Sequence, residues 1–310
     1  AHLAALESRV PFINFFDGFR TSHEYQKIEE MDMEDIRPLV PMDKVSEFRN
    51  RALTPEHPEA RGMAENPETF FAHREVCNEY YDAVPAIVEK YMAAVSKITG
   101  REYKLFSYYG AEDAERVIIC MGSVTEAARE AIDYLNAKGE KVGMVSVHLY
   151  RPFSPKHLLA AVPKTCKRIA VLDRTKEPGA NGEPLYLDVK DAFYNEENRP
   201  LIVGGRYGLG SCDTTPTMII SVYENLALNE PKDHFTVGIV DDVTFRSLPL
   251  EKEMALGGEG IFEAKFYGLG ADGTVGANKN SVKIIGDNTD KYCQAYFSYD
   301  SKKSGGFTCS

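Results

Sequence analysis

The chain has 310 residues, 43% hydrophobic and 27% charged, with a formal charge of −11. That length allows two or three domains at about 100–200 residues each, with the balance of an ordinary globular protein. The acidic excess argues against a nucleic-acid groove or a polybasic membrane patch, both of which need clustered Lys and Arg. No apolar run reaches the roughly 20 residues that span a bilayer. The opening AHLAALESRVPF lacks the basic and apolar regions of a signal peptide. The six cysteines are scattered and none sits in a C-x-x-C pair. They are expected to be reduced structural thiols in a cytoplasmic protein, without a metal or iron–sulfur site of their own.

Residues 1–100 form the first region. The run VPFINFF at 10–16 predicts a buried strand. A polar loop follows it, and Asp17, Arg20, His23 and Glu24 are expected to form a local ion-pair network there. Residues 32–69, rich in Pro, Glu, Met and Arg, read as a wrapping excursion. Ile87, Tyr91, Val95 and Ile98 recur at helical spacing, and Gly100 is a fitting stop. This region is too poor in strands to stand as a domain by itself.

Residues 101–200 form the clearest unit. Strands are predicted at 116–120 (RVIIC), 142–149 and 168–172, with helices between and after them. Ser123 and Glu126 read as a capping box for a helix ending near Gly139, and Ser154-Pro155 opens a short helix. The β-α-β-α-β-α order predicts a small parallel sheet covered on both faces. Asp173, Arg174, Lys176 and Glu177 lie just past a strand end, the ligand side of such a sheet, but the same residues also suit a solvated loop. His148 and His157 read as structural, and the unit as a spacer or interface domain.

Residues 201–310 form a third unit with two glycine turns between strand and helix. The first spans 204–211 (GGRYGLGS), followed by a helix that Thr215 caps with Pro216 at its first position. A strand at 235–240 ends in Asp241 and Asp242. The second turn lies in GLGADGTVGANKNSVK at 268–283, where Gly268, Gly270 and Gly273 supply a G-x-G-x-x-G pattern after an apolar lead-in at 262–267. Glycines let the backbone approach a phosphate, and free N–H groups at a helix start favour an anion. Alone, the pattern does not separate a phosphate site from a tight turn. Two such turns at the same end of one sheet would make a groove for an extended phosphorylated ligand. Arg206, Lys279, Lys302 and Lys303 would offset its charge, and Asp300 stands at a further strand end. An NAD-dependent Rossmann-type dehydrogenase and a non-catalytic nucleotide-binding module both remain open readings of these residues.

Seven strings, FFDGFRTSHE, GAEDAERVIICMGS, LYRPF, LDRTKEPGANGEPLY, GGRYGLGS, FYGLGADGTVGANKNSVKIIGDNTD and AYFSYDSKKSGG, run end to end along the chain. In them it resembles the pyruvate:ferredoxin (flavodoxin) oxidoreductases. That family oxidatively decarboxylates pyruvate with thiamine diphosphate, forms acetyl-CoA and CO2, and passes electrons through [4Fe–4S] clusters to ferredoxin or flavodoxin. The resemblance implies an α/β chain of three parts. Residues 1–100 would end the first, pyrimidine-type thiamine-binding domain, and residues 101–200 would be a transketolase C-terminal-like parallel-sheet domain. Residues 201–310 would be most of a third α/β domain that helps bind coenzyme A. Gly208, Leu209, Gly210 and Ser211 match the family's coenzyme A stretch, with Arg206, Asp241, Gly268, Gly270, Gly273 and Lys279 as further candidate contacts. Cys212 stands where the family pattern is often basic, which puts that contact in doubt. The chain lacks the C-x-x-C-x-x-C cluster motifs and a complete thiamine diphosphate and Mg motif. It therefore reads as a piece of a longer polypeptide, inactive alone, that works with the remaining domains of a full-length homodimer.

Overall fold

A computed structural model of the chain describes residues 1–18, 21–59, 62, 64–250, 260–299 and 307–309. In chain order the helices are α1 (His2–Ser8), α2 (Met33–Ile36), α3 (Met42–Asn50), α4 (Pro67–Thr99), α5 (Val124–Ala137), α6 (Pro155–Ala161), α7 (Pro184–Ala192), α8 (Pro216–Ala227) and α9 (Thr274–Asn288). The strands are β1 (Tyr25–Gln26), β2 (Phe106–Gly110), β3 (Arg116–Cys120), β4 (Val142–Val147), β5 (Arg168–Asp173), β6 (Leu201–Arg206), β7 (Phe235–Thr236), β8 (Tyr267–Leu269), β9 (Gln294–Ala295), β10 (Ser298–Tyr299) and β11 (Phe307–Cys309). The chain divides into two units. One holds residues 1–15, 30–107 and 147–161, and the other the described residues of 16–29, 108–146 and 162–310.

The first unit is built on α4, whose 33 residues end where Gly100 takes φ 70° and returns its N–H to Ser96. Val84, Val88 and Tyr91 lie on one stripe of this helix and are buried, and α1 packs against it. The Tyr91 hydroxyl donates to Glu7 Oε2 at 2.5 Å, and Lys90 Nζ donates to the same carboxylate at 2.7 Å. Burial and that carboxylate push the Tyr91 hydroxyl well above its ordinary range. The strand expected at 10–16 does not form. Val10 is buried, but Ile13 is 86% exposed, and Pro11 has no N–H to give a ladder. An apolar run makes a strand only where another strand receives its hydrogen bonds, and among the described residues none does so here.

The second unit is organised by a six-stranded sheet in the order β2-β4-β3-β5-β6-β7. The pairs β3–β4, β3–β5, β5–β6 and β6–β7 are parallel. The strands RVIIC, VGMVSV and RIAVLD are apolar almost throughout because both of their faces are covered. Ile118, Cys120, Met144, Ala170, Leu172 and Val203 meet residues of α5 and α8 in one cluster. The alternate residues, such as Ile169 and Val171, are equally buried on the opposite face, where α7 supplies Leu185 and Val189. Arg116 and Arg168, at matching starts of β3 and β5, reach carbonyls at the end of α8. Arg116 Nη1 donates to Tyr223 at 3.2 Å and Arg168 Nη1 to Leu226 at 2.5 Å.

The sheet does not stop at residue 200. Strand β6 pairs with β5 over six residues, so 201–236 extend the middle sheet instead of opening a new one. The physical cause is visible in the glycines of β6. A Cβ on Gly205 would lie 2.1 Å from the Phe235 ring, and one on Gly204 would lie 3.0 Å from the Tyr186 ring. This pair lets aromatic rings close over both faces of the strand. The second glycine turn belongs elsewhere. It follows β8, which lies in a separate antiparallel sheet of order β10-β11-β8. A small cluster of Val282, Ala295 and Phe297 forms beside it.

The Ser123 capping box is also absent. Ser123 has helical φ/ψ and makes no side-chain cap, and the helix start is closed by a residue distant in sequence. Gly205→Ala is expected to destabilise the chain by about 1–3 kcal/mol through overpacking against Phe235. Denaturant unfolding would show this as a lower midpoint at unchanged slope.

Candidate functional site

The carboxyl ends of β3, β5 and β6 converge on one edge, where open α/β sheets take ligands. Strand β6 delivers the turn 208–211. Gly208 and Gly210 take φ +64° and +63°, and Ser211 takes +61°, an unusual value for a residue with a side chain. Left-handed residues this close together are the backbone pattern of anion-binding nests. Leu209 is exposed at the tip, and the Cys212 N–H closes the turn onto the Leu209 carbonyl at 3.2 Å.

Arg206, expected to offset phosphate charge, is instead turned inward and only 6% exposed. Its Nη1 pairs with Glu183 Oε2 at 3.3 Å, and its Nη2 donates to the His234 carbonyl at 2.9 Å. A guanidinium at the end of a buried strand is held where it can meet a buried carboxylate. Asp241 organises its own loop. Its carboxylate accepts from the N–H groups of Val243, Thr244 and Arg246 and from the Thr244 hydroxyl, and these bonds hold it well below the usual carboxylate range.

The turn around Gly268, Gly270 and Gly273 is closed by a neighbouring carboxylate. Asp272 Oδ1 accepts from Thr274 N–H at 3.0 Å and from the Thr274 hydroxyl at 2.6 Å, while Oδ2 accepts from Leu269 N–H at 2.9 Å. Those bonds, the Thr274 hydroxyl first, hold Asp272 below its ordinary value. Two of the N–H groups at this turn, those of Leu269 and Thr274, are therefore taken by a side chain within the motif. Lys279 Nζ lies 5.0 Å and 5.5 Å from the ring centres of Tyr25 and Phe297, within cation–π reach of both. The two glycine turns do not share a sheet edge, so the expected common groove is not formed that way. A dinucleotide fingerprint needs the parallel setting of a βαβ unit, and β8 is antiparallel to β11, so the NAD reading loses its structural context. Asp300, Lys302 and Lys303 lie outside the described residues, as does Arg20.

The residues after β5, for which a ligand edge and a solvated loop were both open, are largely engaged within the protein. Asp173 is buried and accepts from the N–H groups of Leu185 at 3.0 Å and Tyr186 at 3.1 Å, at the start of α7. Arg174 pairs with Asp17 at 2.8 Å, so Asp17 reaches beyond its local loop and Arg174 is not simply solvated. Lys176 lies 3.8 Å from Glu183. Position at a parallel strand's carboxyl end was the available signal. His157 Nδ1 is bonded to Ser154 Oγ at 2.6 Å.

Burial, with Glu183 and Asp188 nearby, raises Asp173 from an ordinary 3.8 to about 6 despite its two N–H bonds. The fold thus favours its protonated form. That contribution is complete below the unfolded value and is lost as pH rises through about 6. Asp173→Asn, which cannot ionise, is expected to lose less thermal stability than the parent between pH 4 and pH 7, roughly the window of this titration. Removing Arg206 strands the buried Glu183 carboxylate, so Arg206→Met is expected to cost about 3–5 kcal/mol by chemical denaturation.

Two family models fall in order on the chain. The thiamine diphosphate-binding domain of pyruvate flavodoxin/ferredoxin oxidoreductase matches residues 1–93, and pyruvate:ferredoxin oxidoreductase core domain II matches residues 114–219. The second match crosses residue 200, and the pairing of β5 with β6 likewise joins residues on either side of it. Pyruvate-flavodoxin oxidoreductases of Enterobacter agglomerans and Klebsiella pneumoniae are 61% and 60% identical over 100% of this chain and 26% and 27% of theirs. The pyruvate:ferredoxin oxidoreductase of Moorella thermoacetica is 57% identical over 100% of this chain and 26% of its own. The chain spans about a quarter of the length of these single-chain relatives. It belongs to the pyruvate flavodoxin/ferredoxin oxidoreductase family.

Proposed function

We propose that the chain is part of a longer enzyme that oxidatively decarboxylates pyruvate to acetyl-CoA and CO2, with electrons passed to ferredoxin or flavodoxin. In that enzyme, residues 208–211 contribute to recognition of coenzyme A. The observation that carries this assignment is the run of left-handed residues at Gly208, Gly210 and Ser211 on the carboxyl edge of a parallel strand. Backbone N–H groups exposed there are suited to a phosphate or pantetheine amide without needing a basic side chain. That suits a turn followed by Cys212, and preceded in sequence by Arg206, which is buried. The turn at 268–273, sealed by Asp272, acts on this reading as a structural helix start.

Residues 1–93 match a thiamine diphosphate-binding domain, and they supply on this reading part of a thiamine diphosphate site that the remaining domains complete. We assign the [4Fe–4S] relay to the remaining domains of the polypeptide. No described helix is long and apolar enough to cross a membrane. Supplied alone with pyruvate, coenzyme A and an artificial electron acceptor, the chain is expected to show no turnover. In the full-length enzyme, Ser211→Asp is expected to raise KM for coenzyme A by about tenfold or more through charge repulsion and strain. An unchanged KM would remove the turn from the site.

A further inference from the structure

We propose that Asp17 and Arg174 are positioning residues for the turn 208–211, holding it through a chain of charge-assisted hydrogen bonds across the carboxyl edge of the sheet. This inference rests on the coenzyme A reading of that turn. Strand β3 connects onward to β4 on one side, and β5 connects onward to β6 on the other. The gap between β3 and β5 is therefore the topological switch point, where open α/β sheets place their ligand crevice. Here a carboxylate of the chain itself fills that crevice. Asp17 Oδ2 accepts the Ser123 N–H at 2.5 Å, at the start of α5. Asp17 Oδ1 pairs with Arg174 Nη1 at 2.8 Å. Arg174 then donates through Nε to the Gly208 carbonyl at 2.9 Å.

Both side chains are well covered, with Asp17 14% and Arg174 25% exposed. Burial pushes the Asp17 carboxyl up, but the bonds from Ser123 and Arg174 outweigh it and leave Asp17 below its ordinary value. The backbone is shaped for this chain at both ends. A Cβ on Gly122 would lie 2.6 Å from Asp17 Oδ2, and one on Gly208 would lie 3.0 Å from Arg174 Nε. Arg174 uses two nitrogens pointing in different directions, which one ammonium cannot reproduce. Residue 17 lies in the segment 16–29, which groups with the sheet although 1–15 and 30–107 belong to the other unit. An ordered turn binds without being ordered by its ligand, so loss of either link should appear in affinity for the ligand of the turn.

The test is steady-state kinetics of the full-length enzyme with coenzyme A varied at saturating pyruvate. Asp17→Asn and Arg174→Lys are each expected to raise KM for coenzyme A about tenfold, with kcat within about twofold and KM for pyruvate unchanged. The double variant should be no worse than either single, because both break one chain. Ser211→Asp serves as the control on the turn itself. If it raises KM for coenzyme A while both singles leave it unchanged, the positioning role is wrong and the coenzyme A reading stands. If Ser211→Asp also has no effect, the coenzyme A reading fails and the positioning role falls with it. Singles that lower kcat and thermal stability together, without the selective change in KM, would show a merely structural ion pair and overturn the proposal.

Discussion

Parallel pairing of β3, β5 and β6 is the constraint on which the second unit depends. Parallel strands need crossovers, and crossovers cover both faces of the sheet. Every strand must then be apolar on both sides. Polar groups can appear only at strand ends, and at the carboxyl ends of β3, β5 and β6 they do: Ser123, Asp173, Arg174, Arg206 and Gly208 all lie at or just past them. What these residues do there is set by burial. A charge that close to the core must find a partner, and each one found does: Arg174 with Asp17, Arg206 with Glu183, and Asp173 with two N–H groups of α7.

This pattern separates the two glycine turns. The turn at 208–211 stands on the edge of a rigid parallel sheet, anchored through Gly208 and open at Leu209. The turn at 268–273 stands on three-residue β8 in an antiparallel sheet, with the N–H groups of Leu269 and Thr274 bonded to Asp272. Similar glycine spacing yields a candidate ligand edge in one case and a capped helix start in the other. The deciding residue is a single aspartate inside the motif.

Much of the fold was legible in the sequence. RVIIC coincides with β3, residue 137 ends α5 as expected, and Gly100 stops α4 through a left-handed φ. These follow from local pattern and backbone preference. What was not legible depended on partners distant in sequence. VPFINFF has strand composition but no ladder among the described residues, and Ser123 has a capping signature but yields its N–H to Asp17. Of the candidate contacts, Gly208, Leu209, Gly210 and Ser211 sit where a ligand edge is expected, while Arg206 and Lys279 are engaged by Glu183 and by aromatic rings. A basic residue near glycines reads the same whether it faces solvent or the core, and only packing decides.

The central claim is that coenzyme A is met by the turn at 208–211 and not by the G-x-G-x-x-G turn. Amide hydrogen exchange of the full-length enzyme, with and without coenzyme A, tests it most directly. The account predicts slowed exchange in the peptide containing residues 208–211 and none in the peptide containing 268–274. Protection confined to 268–274 would contradict it.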